Sequence, residues 1–193
     1  NRINPLSAKV LGSYISAPNE GAALARYSIP ATDTSDQFDV RVDHNFTTTH
    51  KAFARFSWKE QETVSPTNYE ASGPRTRTNP TRNLVISDNW AASAALLNEF
   101  RFGFTTSDIT SVTGLIGRDF VADTGLNLLS KNLPEGSGST YIDIAGYTRF
   151  GEGREEPLTQ KTIQFGDNVT WITGRHTFKG GFDFRRFNWT SPA

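Results

Sequence analysis

Apolar and polar residues alternate one by one in six separate stretches of this chain, and this period of two constrains the fold more than any other feature. Apolar side chains occupy every second position in 38–42, and phenylalanines do so again in 100–104. Successive side chains of a β-strand point to opposite faces, so each stretch has one apolar and one polar face. The pattern therefore predicts an all-β chain built from amphipathic strands.

The connectors between these strands alternate in length. We predict strands at about 37–46, 51–60, 84–92 and 97–106, followed by a third hairpin that turns at 173–175. Each hairpin has a tight turn, whereas long polar loops at 63–83 and 107–160 separate the hairpins. Short turns at one rim and long loops at the other are typical of a transmembrane β-barrel. We therefore expect antiparallel hairpins that form part of an outer-membrane β-barrel, with outer-membrane lipid against the apolar face.

Composition excludes several other classes. The chain has 20 basic and 20 acidic residues among its 193, so it offers no overall charge that would attract a nucleic acid. No segment approaches the roughly 18 consecutive apolar residues of a membrane-spanning helix. The cysteine count is zero, which removes thiol nucleophiles and thiolate metal ligands. Aromatic residues reach 12%, with 14 Phe, as is common in strands and interfaces.

We expect one partial barrel domain over 1–193, with four parts. Asn4 and Pro5 are a helix cap and a first-turn proline, so 1–36 is predicted to contain a helix at about 5–15 and then a loop. Two hairpins occupy 37–106, a long external loop occupies 107–160, and the third hairpin occupies 161–190. Apolar residues between 115 and 144 predict that the long loop is partly folded, with a short strand at 140–144. The chain begins without Met and ends in an apparent loop, which suggests a fragment.

Three phrases resemble the barrel strands of TonB-dependent outer-membrane receptors. They are DQFDVRVDHNF at 36–46, NEFRFGF at 98–104 and GRHTFKGGFDFRR at 174–186, and residues 1–11 resemble the segment ahead of those strands. The likeness is greatest to the Oar-like branch, which carries a carboxypeptidase-regulatory-like domain before its plug. It implies a bacterial outer-membrane barrel of about 22 strands that takes up a scarce siderophore, glycan or peptide. It also implies a plug domain and a TonB-type energiser, contacted through parts not in this chain.

Charged residues on the polar phases are the candidate contact residues. Opposite charges on neighbouring strands can pair across a sheet, and in a barrel they would meet the plug or a hydrated small-molecule or oligomeric ligand. The alternative for each is a solvated wall residue. The residues predicted to contact ligand or plug are Arg41, Arg55, Arg101, Lys179, Asp183 and Arg185.

Two carboxylates interrupt the apolar stripes. Asp88 and Asp167 fall on the apolar phase, where a charge at the membrane midplane costs up to about 2–4 kcal/mol. Either these residues lie at the periplasmic interface, or a β-bulge shifts the register there.

Tryptophans near the strand ends suit an interfacial aromatic belt, or core packing in a soluble fold.

No motif specifies a reaction. His44, His50 and His176 each lie near a turn, and a Ser-His-Asp arrangement can be drawn only because Ser and Asp are abundant. The acidic group at 152–156 is typical of a solvated loop. We therefore expect no catalytic residue, no metal, no cofactor and no enzyme. The alternative function is a self-contained soluble β-barrel or sandwich that binds or hydrolyses a small ligand through 107–160, with its apolar faces in the core.

Overall fold

A computed structural model describes residues 3–115, 124–125, 142–143, 145, 148–151 and 157–191. The helix, α1, spans Pro5–Tyr14, which confirms the predicted N-terminal helix. The Asn4 side chain accepts a hydrogen bond from the Leu6 amide at 2.8 Å, and Pro5 occupies the first turn, where its missing N–H is not needed. No helix among the described residues is long and apolar enough to cross a membrane.

The strands form one antiparallel sheet. Their bounds are β1 Thr32–Asn45, β2 His50–Ser65, β3 Arg75–Thr78, β4 Thr81–Ser93, β5 Leu96–Thr113, β6 Leu158–Thr173 and β7 His176–Thr190. The order is β1, β2, then β3 and β4 in the same position, then β5, β6 and β7. Tight turns join β1 to β2, β4 to β5 and β6 to β7, so the three predicted hairpins are confirmed.

A proline separates β3 from β4. Both strands pair with β2 on one side and with β5 on the other. Between them, the Asn79 amide donates to the Gln61 carbonyl at 2.9 Å, and the Pro80 carbonyl accepts from the Asp108 amide at 3.1 Å. Pro80 has no amide hydrogen to donate, so the ladder is interrupted there while the neighbouring strands continue.

Several strands are longer than the alternation predicted. β2 continues to Ser65, β5 continues to Thr113, and β3 lies inside the segment predicted as the loop 63–83. In these extensions polar residues occupy both phases, as in the Arg75–Thr78 sequence RTRT. Apolar and polar residues alternate only where one face of a strand must be apolar. The backbone hydrogen bonds between paired strands need no such pattern. The alternating pattern therefore does not predict these extensions.

The chain divides into two compact units. The first, which we call the loop unit, comprises Asn1–Thr34, Glu62–Thr78 and Thr110–Pro157. Its core consists of Tyr14, Leu115 and Phe150, each at most 3% exposed. The Tyr14 and Phe150 rings meet edge to face with centroids 5.6 Å apart, and Tyr69 packs on Phe150 at 5.5 Å. Helix α1 is thus fixed by residues distant in the sequence.

Part of the predicted folded loop lies within this unit. Leu115 is buried, and Ile142 forms a β-bridge with Phe150. The rest of the strand predicted at 140–144, apart from Asp143, lies outside the described residues, as does the acidic group at 152–156. Leu115 and Ile142, the described apolar residues of the predicted cluster at 115–144, are therefore packed, as expected of a partly folded loop.

The second unit, the strand unit, comprises Ser35–Gln61, Asn79–Ile109 and Leu158–Ala193. Its register aligns the apolar stripes of neighbouring strands on one face, which we call the apolar face. One row across this face contains Ala54, Ile86, Phe102, Phe165 and Phe184. The next row toward the long connectors contains Phe56, Leu84, Phe104, Ile163 and Arg186. The alternation predicted from sequence therefore becomes a continuous apolar surface.

This apolar face is not sealed in an interior. Phe100, Phe102 and Phe104 are half-buried, and Phe184 is 47% exposed. Among the described residues, the buried apolar side chains are Tyr14, Leu115 and Phe150, and all three belong to the loop unit. The soluble alternative required the strand phenylalanines to form a compact core, and the described residues do not provide one.

Candidate functional site

The polar face of the strand unit is the opposite side of the same rows. Five of the six predicted contact residues occupy its phase by register, and the sixth, Arg41, stacks on Phe53 of the same face. They fall in three places. Arg41 and Arg55 lie on the neighbouring strands β1 and β2, and Lys179 lies near the β6–β7 turn. Arg101 and Asp183 line one groove, and Arg185 is linked to it through Gln164.

Arg41 is already engaged by its neighbours. Its Nε and Nη2 atoms donate to the two carboxylate oxygens of Asp43 at 2.8 and 2.7 Å. Its guanidinium also lies 3.9 Å from the ring centroid of Phe53, a cation–π contact that explains an aromatic residue on the polar face. By contrast, Arg55 and Lys179 are exposed and have no hydrogen bond or ion pair within the part of the chain that the structure describes.

A groove of about 560 Å³ runs over three glycines on the polar face, and we call it the glycine groove. Gly103, Gly166 and Gly181 lie on the adjacent strands β5, β6 and β7. Because these positions have no side chain, the surface is lower there than around it. The other lining residues are Val85, Arg101, Phe102, Gln164, Asn168, Phe182 and Asp183.

Gln164 organises one side of the glycine groove. Its Nε2 donates to Asp183 Oδ2 at 2.9 Å, and its Oε1 accepts from Arg185 Nη2 at 2.9 Å. These two bonds fix the amide orientation, because a flipped amide would place like atoms opposite each other. Gln164 thereby holds a carboxylate and a guanidinium in defined positions.

Arg101 faces this network across a glycine. The register places Arg101 beside Gly166, and Gly166 beside Asp183. Neighbouring strands are about 4.8 Å apart, so the Cα atoms of Arg101 and Asp183 are roughly 10 Å apart. Arg101 has no hydrogen bond or ion pair among the described residues. The groove thus offers an available cation on one side and a fixed polar network on the other.

Close packing requires glycine at two positions of the groove. A Cβ on Gly181 would collide with the Asp167 carbonyl oxygen and the Asn168 side chain, and a Cβ on Gly166 would lie 3.1 Å from the Phe182 carbonyl oxygen. A Cβ on Gly103 would meet no atom within 4 Å. Gly166 and Gly181 are therefore explained by strand packing, whereas Gly103 leaves open space.

Sequence reasoning missed Gln164 and the three glycines. The glycines are separated in sequence, and no local motif connects them. They become neighbours only when the register aligns β5, β6 and β7. The groove could be found only from the strand register, which places Gly166 beside Arg101.

Asp88 and Asp167, the two carboxylates within the apolar stripes, are both paired. Asp88 Oδ1 is 2.8 Å from His50 Nε2, and Asp167 Oδ1 accepts from Asn98 Nδ2 at 2.7 Å. The register is continuous through Asp88 and Asp167, since the shift in the β4–β5 pairing lies at Ala91/Ser93. A bulge therefore does not move these carboxylates off the apolar face, and their location at the periplasmic interface stays a prediction.

The possible catalytic arrangement is not assembled. Ser57 lies on the polar face and donates to Asp39, whereas His50 lies on the apolar face with Asp88. Ser93 accepts from the Ala95 amide within a turn. Among the described residues, no group of three His, Cys, Asp or Glu is placed to hold a metal ion.

Taken together, the strand unit defines a class of protein. An antiparallel sheet with an exposed apolar face, a charged opposite face and alternating short and long connectors is the wall of an outer-membrane β-barrel. The chain belongs to the family described as outer membrane beta barrel domain, whose model matches residues 1–192. Its location is accordingly the bacterial outer membrane. Searches of curated proteins and of solved structures found no match to the chain.

Proposed function

We propose that this chain is a section of the barrel wall of a TonB-dependent receptor, which imports a scarce ligand and is not an enzyme. The resemblance of 36–46, 98–104 and 174–186 to the strands of such receptors supports the proposal. The observation in this chain that carries it is the glycine groove, which Arg101 and Asp183 line and beside which Gln164 holds Arg185.

The groove suits contact with a hydrated partner inside the barrel. Arg101 is available to a carboxylate or hydroxyl oxygen, because a guanidinium offers several donors in a fixed plane. Gly103 leaves room for a partner to approach the backbone. In this proposal the partners are the plug domain and a siderophore, glycan or peptide ligand, and a TonB-type energiser acts through segments outside this chain.

The test measures uptake by cells that express the full receptor. Labelled probes of three kinds, a ferric siderophore, an oligosaccharide and a short peptide, are supplied to cells with and without the energiser. We expect one probe to accumulate only with the energiser, and Arg101→Glu to reduce that uptake. Arg175→Glu, in the β6–β7 turn, is the matched control for the charge reversal.

Two outcomes would contradict the proposal. Uptake that is indifferent to the energiser would exclude a TonB-dependent receptor. Equal uptake by Arg101→Glu and Arg175→Glu receptors would exclude the glycine groove from the transport path while leaving the receptor assignment open.

The loop unit has a separate proposed role in ligand capture. Its packed core of Tyr14, Leu115 and Phe150 indicates a folded element and not an open linker. Removal of 116–156 is expected to abolish uptake of the probe while the barrel still folds, as judged by its migration on unheated gels. Unchanged uptake after this deletion would refute the capture role.

A further inference from the structure

Two basic side chains on the apolar face have no protein partner among the described residues. Lys161 pairs in register with Asn188, and Ile163 pairs with Arg186, so Lys161 and Arg186 are diagonal neighbours on the same face of β6 and β7. Diagonal neighbours of this kind are about 7–8 Å apart, within reach of one another's long side chains. Both are exposed, and neither has a hydrogen bond or an ion pair within the described part of the chain.

The position of this pair coincides with the end of the apolar surface. Ile163 and Phe184 lie on the side of the hairpin turn, where the face is apolar. On the side of the long connectors, Thr106 and Asn188 share the row of Lys161, and Thr159 follows. Lys161 and Arg186 therefore lie at the boundary between an apolar and a polar surface.

Among the described residues, no charged side chain forms an ion pair with Lys161 or Arg186. Arg82 lies in the same row as Lys161, but it forms an ion pair with Glu60 at 2.5 Å and contacts the Trp58 ring at 5.0 Å. Toward the connectors, Asp108 is the diagonal neighbour of Lys161, and its carboxylate accepts from Thr159 Oγ1 at 2.7 Å. On the other side, Asp167 is hydrogen-bonded to Asn98 and lies three rows from Lys161.

We infer that Lys161 and Arg186 form a binding site for the phosphate of an anionic lipid headgroup. The chain belongs to a family of membrane barrels, whose apolar face meets lipid. Arg186 lies in the last apolar row and Lys161 in the next row toward the connectors, where headgroups begin. Their long stems lie along apolar surface while their charged ends reach the interface. Arginine offers a fork of donors to phosphate oxygens, and lysine adds a compact charge.

The inference is tested on the full receptor, purified in neutral detergent and titrated with phosphatidic acid. Bound lipid is counted by native mass spectrometry, with phosphatidylcholine as the comparison lipid. Each basic residue near a charged interface contributes about five-fold in affinity, so Lys161→Gln and Arg186→Gln should each weaken binding about five-fold. The double variant should lose roughly 25-fold.

Lys59→Gln is the matched control. Lys59 pairs with Thr81, one position from the pair that contains Arg82, and it occupies the polar phase of β2. Its replacement removes the same charge at nearly the same height on the other face, so phosphatidic acid binding should not change. Unheated gel migration establishes that every variant is folded before its lipid binding is measured.

Three results would overturn the inference. The first is a folded double variant that retains full binding, and the second is an equal loss caused by Lys59→Gln. The third is displacement of phosphatidic acid by millimolar inorganic phosphate as effectively as by excess lipid, which would assign the site to a free anion.

Discussion

Substitution of Gly181 by alanine should force β7 away from the neighbouring β6 backbone and destabilise the protein. The same change at the adjacent Gly180 should not. A Cβ on Gly181 would overlap the backbone carbonyl oxygen of Asp167 and the Asn168 side chain, and it would lie 3.1 Å from the Asn168 Cα. Two of these contacts involve backbone atoms, which move only if the strand pair moves. The Cβ on Gly180 would meet no atom within 4 Å.

The expected difference between these two variants is large. Overpacking of this kind costs about 1–3 kcal/mol, and alanine at an open position gains about 0.4–1 kcal/mol by restricting the unfolded chain. Gly181→Ala should therefore be about 1.5–4 kcal/mol less stable than Gly180→Ala. The assay is urea unfolding of the full protein in lipid vesicles, followed by tryptophan fluorescence. Equal unfolding midpoints for the two variants would refute the β6–β7 register on which the glycine groove depends.

Two further predictions concern the apolar face and the loop unit. His50→Leu or Asp88→Leu alone should destabilise the protein by about 1–3 kcal/mol, because each leaves a polar partner unpaired beside apolar surface. The double variant should lose less than the sum, and additive losses in the same unfolding assay would exclude the pair. Tyr14→Ala should remove about 3–5 kcal/mol from the loop unit core and expose the α1 amides to hydrogen exchange without affecting β6 or β7. Leu11→Ala, at a 45% exposed position, is its control, and equal exchange in both would contradict the described core.

The alternation of residues was sufficient to predict the strands and hairpins because it reports directly which side of each strand is apolar. It could not predict β3 or the extensions of β2 and β5, where apolar residues do not recur at every second position and the backbone hydrogen bonds define the strand. The break at Pro80 is visible in the sequence, yet its consequence depends on β2 and β5 continuing alongside it.

The sequence predicted which face of the sheet carries the candidate site residues. It did not predict which of these residues lie close together. The polar phase of Arg101, Asp183 and Arg185 follows from the period of two, and the structure confirms that phase. Their proximity follows from the register of three strands, which a single sequence does not encode locally. The same reason explains why Asp88 was noticed on the apolar phase without its partner His50.

The central claim is that the apolar face contacts hydrocarbon while the polar face contacts water. The chain contains no cysteine, so Phe102→Cys and Arg101→Cys each place the one thiol of this segment on a defined face. Each is labelled with an environment-sensitive fluorophore in the full protein reconstituted in vesicles. We predict that a nitroxide on the lipid tails quenches the label at 102 and that aqueous iodide quenches the label at 101. Quenching of the label at 102 by iodide alone, or by neither agent, would contradict the claim.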